Sequence, residues 1–176
     1  MKISIISTSD PSKIVKYSKI SAEDLSQLSN DIGKLLAKKG HEIILVPDKG
    51  LHTEIAEAYK NNKGKKIYGM IPKNDTKFGI DNTKPYIELV DEKIEYDHWF
   101  DVDGEIAASG DICLVLGLSP GIMRQICALK YHYKFFNSKT KLIWFENTIS
   151  QLIQKEIQEE IPIIYVNSIS DLEQFV

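Results

Sequence analysis

The chain has 176 residues, 43% of them hydrophobic and 27% charged, which suits one domain spanning residues 1–176 with a substantial core. Its formal net charge of -3 argues against a general affinity for nucleic acid, which a basic surface would favour. No apolar run approaches the roughly 20 residues that cross a bilayer, and the N-terminus does not resemble a secretory signal. We therefore expect no nucleic-acid partner, no membrane partner and a cytoplasmic location.

The first half of the chain alternates apolar runs with amphipathic stretches. Continuous apolar runs predict strands at residues 3–7, 43–46 and 66–71. Ser21 can cap a helix, and leucine and isoleucine then recur at helical spacing until Gly40 stops the pattern. Residues from about 52 to 62 predict the next helix.

The second half begins with an irregular polar segment that runs from Pro72 to about Lys84. We expect a short strand at residues 86–90, and a helix in the later part of the acidic stretch 88–105 that ends near Gly110. The remaining expected elements are a strand from Asp111, a helix to about Phe136, a strand at 141–145, a helix near 148–159, a strand at 161–166 and a short helix from Ser170.

Alternating strands and helices, with strands that are apolar throughout, predict a parallel sheet covered on both faces. The expected fold class is therefore α/β, a doubly wound, mostly parallel and Rossmann-like sheet with helices on both faces. Ligands of such folds bind beyond the carboxyl ends of the strands. The loops expected there are residues 7–12, 47–52, 72–84 and 117–124.

Cysteine and histidine usage gives no support for a disulfide or a zinc site. Cys113 and Cys127 fall in an expected strand and an expected helix, so both are predicted to be reduced and packed. A CxxC spacing is absent and the four histidines are scattered along the chain.

The turn at residues 117–124 is the most informative stretch, because a buried strand there runs into a Gly/Ser/Pro turn and then into a helix. Such a junction points backbone N–H groups at a ligand above the sheet. Arg124, the only arginine of the chain, can bind a phosphate or carboxylate in a bidentate way. The alternative is a tight connection with no ligand. The candidate ligand-binding residues are Ser7, Thr8, Ser9, Asp48, Gly50, Gly117, Ser119, Pro120, Gly121, Ile122 and Arg124.

Three further groups have both a functional and a structural interpretation. Asp101, Asp103 and Glu105 could hold Mg²⁺ or Ca²⁺, although a helix N-terminus that favours acidic residues explains them more simply. Residues 98–100 (HWF) could stack a base or anchor their helix. The aromatic residues between 131 and 136 favour core packing or a subunit interface over ligand stacking.

Several segments together are similar to the lysine-decarboxylase-like superfamily, which includes cytokinin-activating phosphoribohydrolases and molybdenum-cofactor carrier proteins. The resemblance covers roughly residues 1–145. It is carried by residues 33–44 (GKLLAKKGHEII), by Gly50 and the helix after it, by residues 64–72 (GKKIYGMIP) and by residues 109–117 (SGDICLVLG). The order and spacing of these pieces carry more weight than any one of them.

The phosphate and catalytic motif of that superfamily, PGGxGTxxE, corresponds here to residues 116–125 (LGLSPGIMRQ). Gly117 and Gly121 are retained, whereas the second glycine, the threonine and the glutamate are replaced by Leu118, Ile122 and Gln125. The arginine that usually lies upstream falls on Val102. Because glutamine cannot ionise, the family's catalytic residue is unknown here, and the resemblance implies binding without hydrolysis.

The sequence thus predicts a protein that binds a nucleotide or a nucleotide-bearing cofactor, such as a molybdopterin-type ligand, without the hydrolase activity. Its partners would be a small phosphorylated ligand and, as the resemblance implies, a second copy in a homodimer or larger assembly. One alternative is a nucleoside-5'-monophosphate phosphoribohydrolase with a rearranged site, in which Glu54 or an acid from 95 to 105 replaces the glutamate. The other is a dimeric interaction protein with no small ligand.

Overall fold

In the residues that the computed structural model describes, 1–75 and 83–176, a seven-stranded and entirely parallel sheet forms the centre of the chain. Its strands are β1 (Lys2–Ser7), β2 (Glu42–Leu45), β3 (Ile67–Pro72), β4 (Glu92–Tyr96), β5 (Ile112–Leu116), β6 (Lys141–Phe145) and β7 (Ile163–Val166). They lie in the spatial order β4-β3-β2-β1-β5-β6-β7. The predicted doubly wound α/β fold is confirmed.

Helices cover both faces of this sheet. They are α1 (Pro11–Tyr17), α2 (Ala22–Lys38), α3 (Leu51–Asn61), α4 (Trp99–Glu105), α5 (Pro120–Cys127), α6 (Leu129–Phe135), α7 (Lys155–Gln158) and α8 (Ile169–Glu173). Short 3-10 helices occupy Lys84–Leu89, Ile106–Ala108 and Glu146–Thr148. Within the described ranges, none of the helices is long and apolar enough to cross a bilayer.

Two separate apolar clusters hold the helices to the sheet. On one face of the sheet, Ile32 and Leu36 of α2 and Tyr59 of α3 pack on buried side chains of β1, β2 and β5. The opposite cluster joins Val102 of α4 and Ile126 of α5 to the other side of the strands. Every residue of β5 is buried, which explains why its sequence is apolar throughout instead of alternating.

The winding direction reverses beside β1. The chain passes from β1 outward through β2, β3 and β4, and then returns to place β5 on the other side of β1. Ser7 at the end of β1 is in register with Leu116 at the end of β5. In folds of this kind, a crevice opens at the carboxyl ends of the strands where the order reverses.

The prediction of a strand at residues 86–90 is wrong. That region belongs to the 3-10 helix Lys84–Leu89, with Pro85 in its first turn, and the edge strand is β4. β4 was missed because its charged residues, such as Glu92 and Glu95, are exposed at the sheet edge and hide the strand pattern. Of the polar segment 72–84, Pro72 ends β3 and residues 76–82 lie outside the described residues.

Two predicted helices are also corrected. The long helix expected up to Phe136 is divided at Ala128 into α5 and α6. The helix expected at 148–159 is reduced to the single turn of α7, because Ile149 and Ile153 enter the core between it and β6. Cys127 is exposed on α5 instead of packed, whereas Cys113 is buried in β5 as expected, and both are free thiols.

Candidate functional site

The carboxyl ends of β1, β2 and β5 open into one cleft of about 150 Å³, which is closed on its far side by α4 and α5. Pockets that enclose a whole drug-sized ligand measure roughly 300–1,000 Å³, so this cleft suits one part of such a ligand. Its lining comprises Ile5, Ser7, Thr8, Ser9, Val46, Asp48, His52, Trp99, Asp103, Ile106, Ser119, Gly121, Ile122 and Gln125.

Ser7 and His52 form the buried polar part of this lining. The backbone N–H of Ser7 donates to Nε2 of His52 at 3.2 Å, so the proton of the neutral ring lies on Nδ1. Burial lowers the pKa of His52 to about 4, although the nearby Lys49 carbonyl opposes this shift, and the ring is therefore neutral near pH 7. The Oγ of Ser7 makes no hydrogen bond to any described residue, whereas the His52 ring lies beside the Lys49 carbonyl.

The turn after β2 brings Asp48 to the cleft. The turn requires a glycine at position 50, because φ there is 81° and a Cβ would lie only 2.9 Å from the Thr8 carbonyl oxygen. The loops after β1 and β2 thus touch through backbone atoms. Asp48 Oδ1 accepts the Lys49 N–H at 2.7 Å, and burial raises the pKa of the Asp48 carboxyl.

The turn after β5 is fixed by buried hydrogen bonds. The Gly117 N–H donates to Thr148 Oγ1 at 2.8 Å, and the Gly117 carbonyl accepts from Trp144 Nε1 at 3.1 Å. Gly117 has a φ of 85°, and a Cβ there would lie 2.7 Å from Ile14 Cδ1. At the start of α5, Ser119 Oγ accepts the Ile122 N–H at 3.2 Å. The glycine therefore serves the fold, and the helix N-terminus is already capped.

Helices α4 and α5 meet at the cleft through the buried carboxylate of Asp103. Gln125 Nε2 donates to its Oδ1 at 2.7 Å, and Arg124 Nε lies 3.3 Å from its Oδ2. The Arg124 guanidinium also lies over the Phe100 ring, 3.7 Å from the ring centre. Burial raises the pKa of Asp103, while Gln125 and Arg124 act in the opposite direction.

The cleft is acidic in character. Among the described residues that line it are two carboxylates, Asp48 and Asp103, one neutral histidine and no lysine or arginine. A pocket that encloses a phosphate would instead be expected to carry positive charge.

Seven of the candidate residues named from the sequence come together at this cleft, namely Ser7, Thr8, Ser9, Asp48, Ser119, Gly121 and Ile122. The other four lie outside the lining. Gly50 and Gly117 shape the turns, Pro120 occupies the first turn of α5, and Arg124 is paired with Asp103. Lining a cleft is a matter of position, and the binding role of each residue stays a prediction.

The acidic group considered for a metal does not converge. Asp101 Oδ2 accepts the His98 N–H at 3.0 Å and caps α4, Asp103 is turned into the cleft, and Glu105 is exposed. In residues 1–75 and 83–176, no three histidine, cysteine or acidic side chains are close enough together to hold a metal ion.

The lining also includes His52, Trp99, Asp103, Ile106 and Gln125, which are not among the ligand-binding candidates named from the sequence. Trp99 belongs to the segment considered for stacking a base, Asp103 to the acidic group considered for a metal, and Gln125 occupies the position of the family's glutamate. His52 had a usable signal, because it directly follows the turn after β2. The contact between Asp103 and Gln125 had no signal in the sequence, since it joins residues 22 positions apart.

The fold is similar to that of several solved structures. The structural-genomics target TM1055 superposes with a TM-score of 0.69 at 16% identity, over 99% of this chain and 96% of that one. The molybdenum cofactor carrier protein of Chlamydomonas reinhardtii gives 0.66 at 16% identity, over 99% and 94%. DNA processing protein A of Helicobacter pylori, described with a single-stranded DNA binding mode, gives 0.64 at 15%, over 99% and 79%.

Sequence comparison adds nothing to these likenesses, because no protein-family profile and no curated protein matches the chain. At 15–16% identity, the structural likenesses show the fold alone. The resemblance inferred from the sequence is thus confirmed at that level: the chain has the Rossmann-like fold that the molybdenum cofactor carrier protein also has.

Proposed function

We propose that this chain binds one part of a nucleotide, or of a nucleotide-like cofactor such as a molybdopterin, in the cleft and does not hydrolyse it. The observation that carries the proposal is the cleft at the reversal of the strand order, whose lining includes the buried Ser7 Oγ without a hydrogen-bond partner among the described residues. Native proteins rarely leave such a group unpaired, so a polar ligand or water that bonds to it is expected. The shared fold of the molybdenum cofactor carrier protein supports the class of ligand.

A phosphate of the ligand would lie at the start of α5 and not deep in the cleft. Pro120 has no N–H and Ser119 already accepts the Ile122 N–H, which leaves Gly121 as the backbone donor at this position. Gly121 has no side chain that would hinder approach, and the nearest atom to a Cβ placed there is Ser119 Oγ at 3.7 Å. One helix terminus with few free donors fits a ligand that is anchored mainly by its other end.

Hydrolysis is not expected because the residue at the family's glutamate position is Gln125. Its amide cannot take up a proton as a general base does, and it is held by a hydrogen bond to Asp103. The DNA-processing neighbour does not change this proposal, since the described lining of the cleft offers no cation for a DNA backbone.

Isothermal titration with AMP, ADP, GMP and a pterin nucleotide tests the proposal. At least one of them should bind, and Ser9→Phe should abolish the binding because the ring would fill the cleft. The matched control is Ser12→Phe on α1, whose side chain lies outside the cleft lining and should leave affinity unchanged. Absence of heat with every ligand, or equal binding by both variants, would contradict the proposal.

One observation favours the phosphoribohydrolase alternative. Asp103 is an acid from the segment 95–105, lies in the cleft beside Gln125, and has a pKa raised by burial, as a general acid or base often has. Glu54 does not line the cleft. Release of ribose 5-phosphate from nucleoside monophosphates, lost in Asp103→Asn, would replace the binding proposal with this one, and a gain of release in Gln125→Glu would show a degenerate family site.

We propose that a second copy of the chain packs on the exposed aromatic residues of α6. Tyr131 and Phe135 stack on each other, and with Phe136 they expose 56%, 65% and 73% of their surface. Large apolar side chains grouped in this way usually mark an interface. Sedimentation velocity should show a dimer that Phe135→Ser weakens at least tenfold. Tyr17→Ser lies on α1, which packs on the opposite face of the sheet, and should leave the dimer intact. A monomer at micromolar concentration would contradict this.

A further inference from the structure

The far end of the cleft combines apolar walls with a polar edge. Trp99, Ile106 and Ile122 supply the walls, and Asp103 and Gln125 supply the edge. An apolar cavity of about 150 Å³ is large enough for benzene, and this cleft has that volume and an open mouth. One ring of a flat heterocycle can therefore enter, with its hydrogen-bonding edge facing the polar side chains.

The polar edge offers acceptors for hydrogen bonds and very few donors. An ionised carboxylate has about four lone-pair positions, and Asp103 uses two of them, for Gln125 Nε2 at 2.7 Å and Arg124 Nε at 3.3 Å. Because Gln125 gives its NH₂ group to this carboxylate, its Oε1 remains an acceptor. The Asp103 side chain is only 3% exposed, and it borders the cleft, so what remains of its acceptor capacity is available only from the cleft.

We infer that Asp103 binds the heterocycle of the ligand and favours guanine and pterins over adenine. Guanine and pterins share a 2-amino-4-oxo edge, on which adjacent N–H donors lie side by side. This inference rests on the proposed function and specifies the ligand of the same site. A ring N–H and an exocyclic NH₂ side by side can both donate to one carboxylate. Adenine instead places a ring nitrogen lone pair beside its amino group, and that lone pair would face the Asp103 oxygen.

A second observation supports a polar ligand in the cleft. Ser7 is only 9% exposed, lines the same cleft, and its Oγ has no partner among the described residues. A hydroxyl in this position can donate to a ligand acceptor or accept from a ligand hydroxyl. The cleft thus has polar groups at two places, Ser7 at the end of β1 and the edge formed by Asp103 and Gln125.

Asp48 provides the matched control for Asp103. Both carboxylates line the cleft and carry the same charge, but Asp48 lies at the end of β2 and accepts the Lys49 N–H at 2.7 Å. Removal of the Asp48 charge changes the electrostatics of the cleft without changing the edge formed by Asp103 and Gln125.

Titration calorimetry with GMP, 1-methyl-GMP, IMP, AMP and a pterin monophosphate tests the inference on the unaltered chain. GMP and the pterin should bind about ten to a hundred times more tightly than AMP. 1-Methyl-GMP, which lacks the ring N–H, and IMP, which lacks the amino group, should each lose most of that advantage. Comparison of the affinities for GMP and for the pterin monophosphate shows which of these two heterocycles the cleft prefers.

Asp103→Asn should remove the preference for GMP over AMP, whereas Asp48→Asn should retain it, with thermal melting to verify that both variants fold. Equal or tighter binding of AMP by the unaltered chain would overturn the inference and leave the proposed function intact. Equal loss of preference in both variants would overturn it as well, because the total charge of the cleft would then be responsible. Failure of every ligand to bind would overturn the proposed function itself.

Discussion

Trp144→Ala is expected to lower the free energy of unfolding by about 3–5 kcal/mol, the largest loss that we predict for any single substitution. Trp144 is fully buried in β6, and its Nε1–H donates to the Gly117 carbonyl at 3.1 Å. The truncation would leave a cavity and remove the donor that helps to fix the turn after β5. Urea denaturation followed by circular dichroism measures this change.

The other tryptophan is the natural control. Trp99 is partly exposed at the wall of the cleft, so Trp99→Ala should cost much less stability while weakening ligand binding. If the two variants lost stability equally, the distinction between a tryptophan of the core and a tryptophan of the cleft would be wrong.

Gly50→Ala is expected to lower the free energy of unfolding by about 2–4 kcal/mol. The residue has φ 81° and ψ −141°, which a residue with a Cβ rarely adopts, and the added carbon would lie 2.9 Å from the Thr8 carbonyl oxygen. Because the crowded atoms belong to the backbone, the strain can be relieved only by separating the loops after β1 and β2. We therefore expect ligand affinity to fall together with stability, as thermal melting and calorimetry would measure.

Gly104→Ala is the matched control for this effect. Gly104 is helical, and a Cβ placed there would have no atom within 4 Å. Alanine should therefore stabilise α4 by about 0.5–1 kcal/mol through its higher helix propensity. A neutral Gly50→Ala variant would mean that the turn after β2 is not constrained as its geometry indicates.

Buried strands were predictable wherever the sequence of a strand was apolar on both faces. β1, β2 and β5 are examples, because burial on two faces removes the polar residues that would interrupt such a run. β4 was not predictable in this way. Its charged residues face solvent, and its position is set by pairing with β3, in which Tyr68 is in register with Glu92 and Pro72 with Tyr96.

The region after β6 shows the same limit of prediction from local sequence. The helix expected at 148–159 has the composition of a helix, yet buried contacts take precedence there. Thr148 Oγ1 donates to the Phe145 carbonyl and accepts the Gly117 N–H, and the Ile153 N–H donates to the Tyr165 hydroxyl at 3.1 Å. Partners that are distant in sequence decide the local backbone, which local propensity cannot anticipate.

By itself, the sequence determined the α/β class, the apolar strands near the centre of the sheet, and the loops whose side chains meet at the cleft. It could do so because periodicity and turn residues are local properties, and because parallel strands place their carboxyl ends at one edge. Only the tertiary structure decided the character of that cleft. The meeting of α4 with α5 pairs Arg124 with Asp103, turns Gln125 towards the same carboxylate, and leaves an acidic edge where the sequence had suggested an anion site. Contacts of this kind depend on distances between separate helices, which no spacing within one helix encodes.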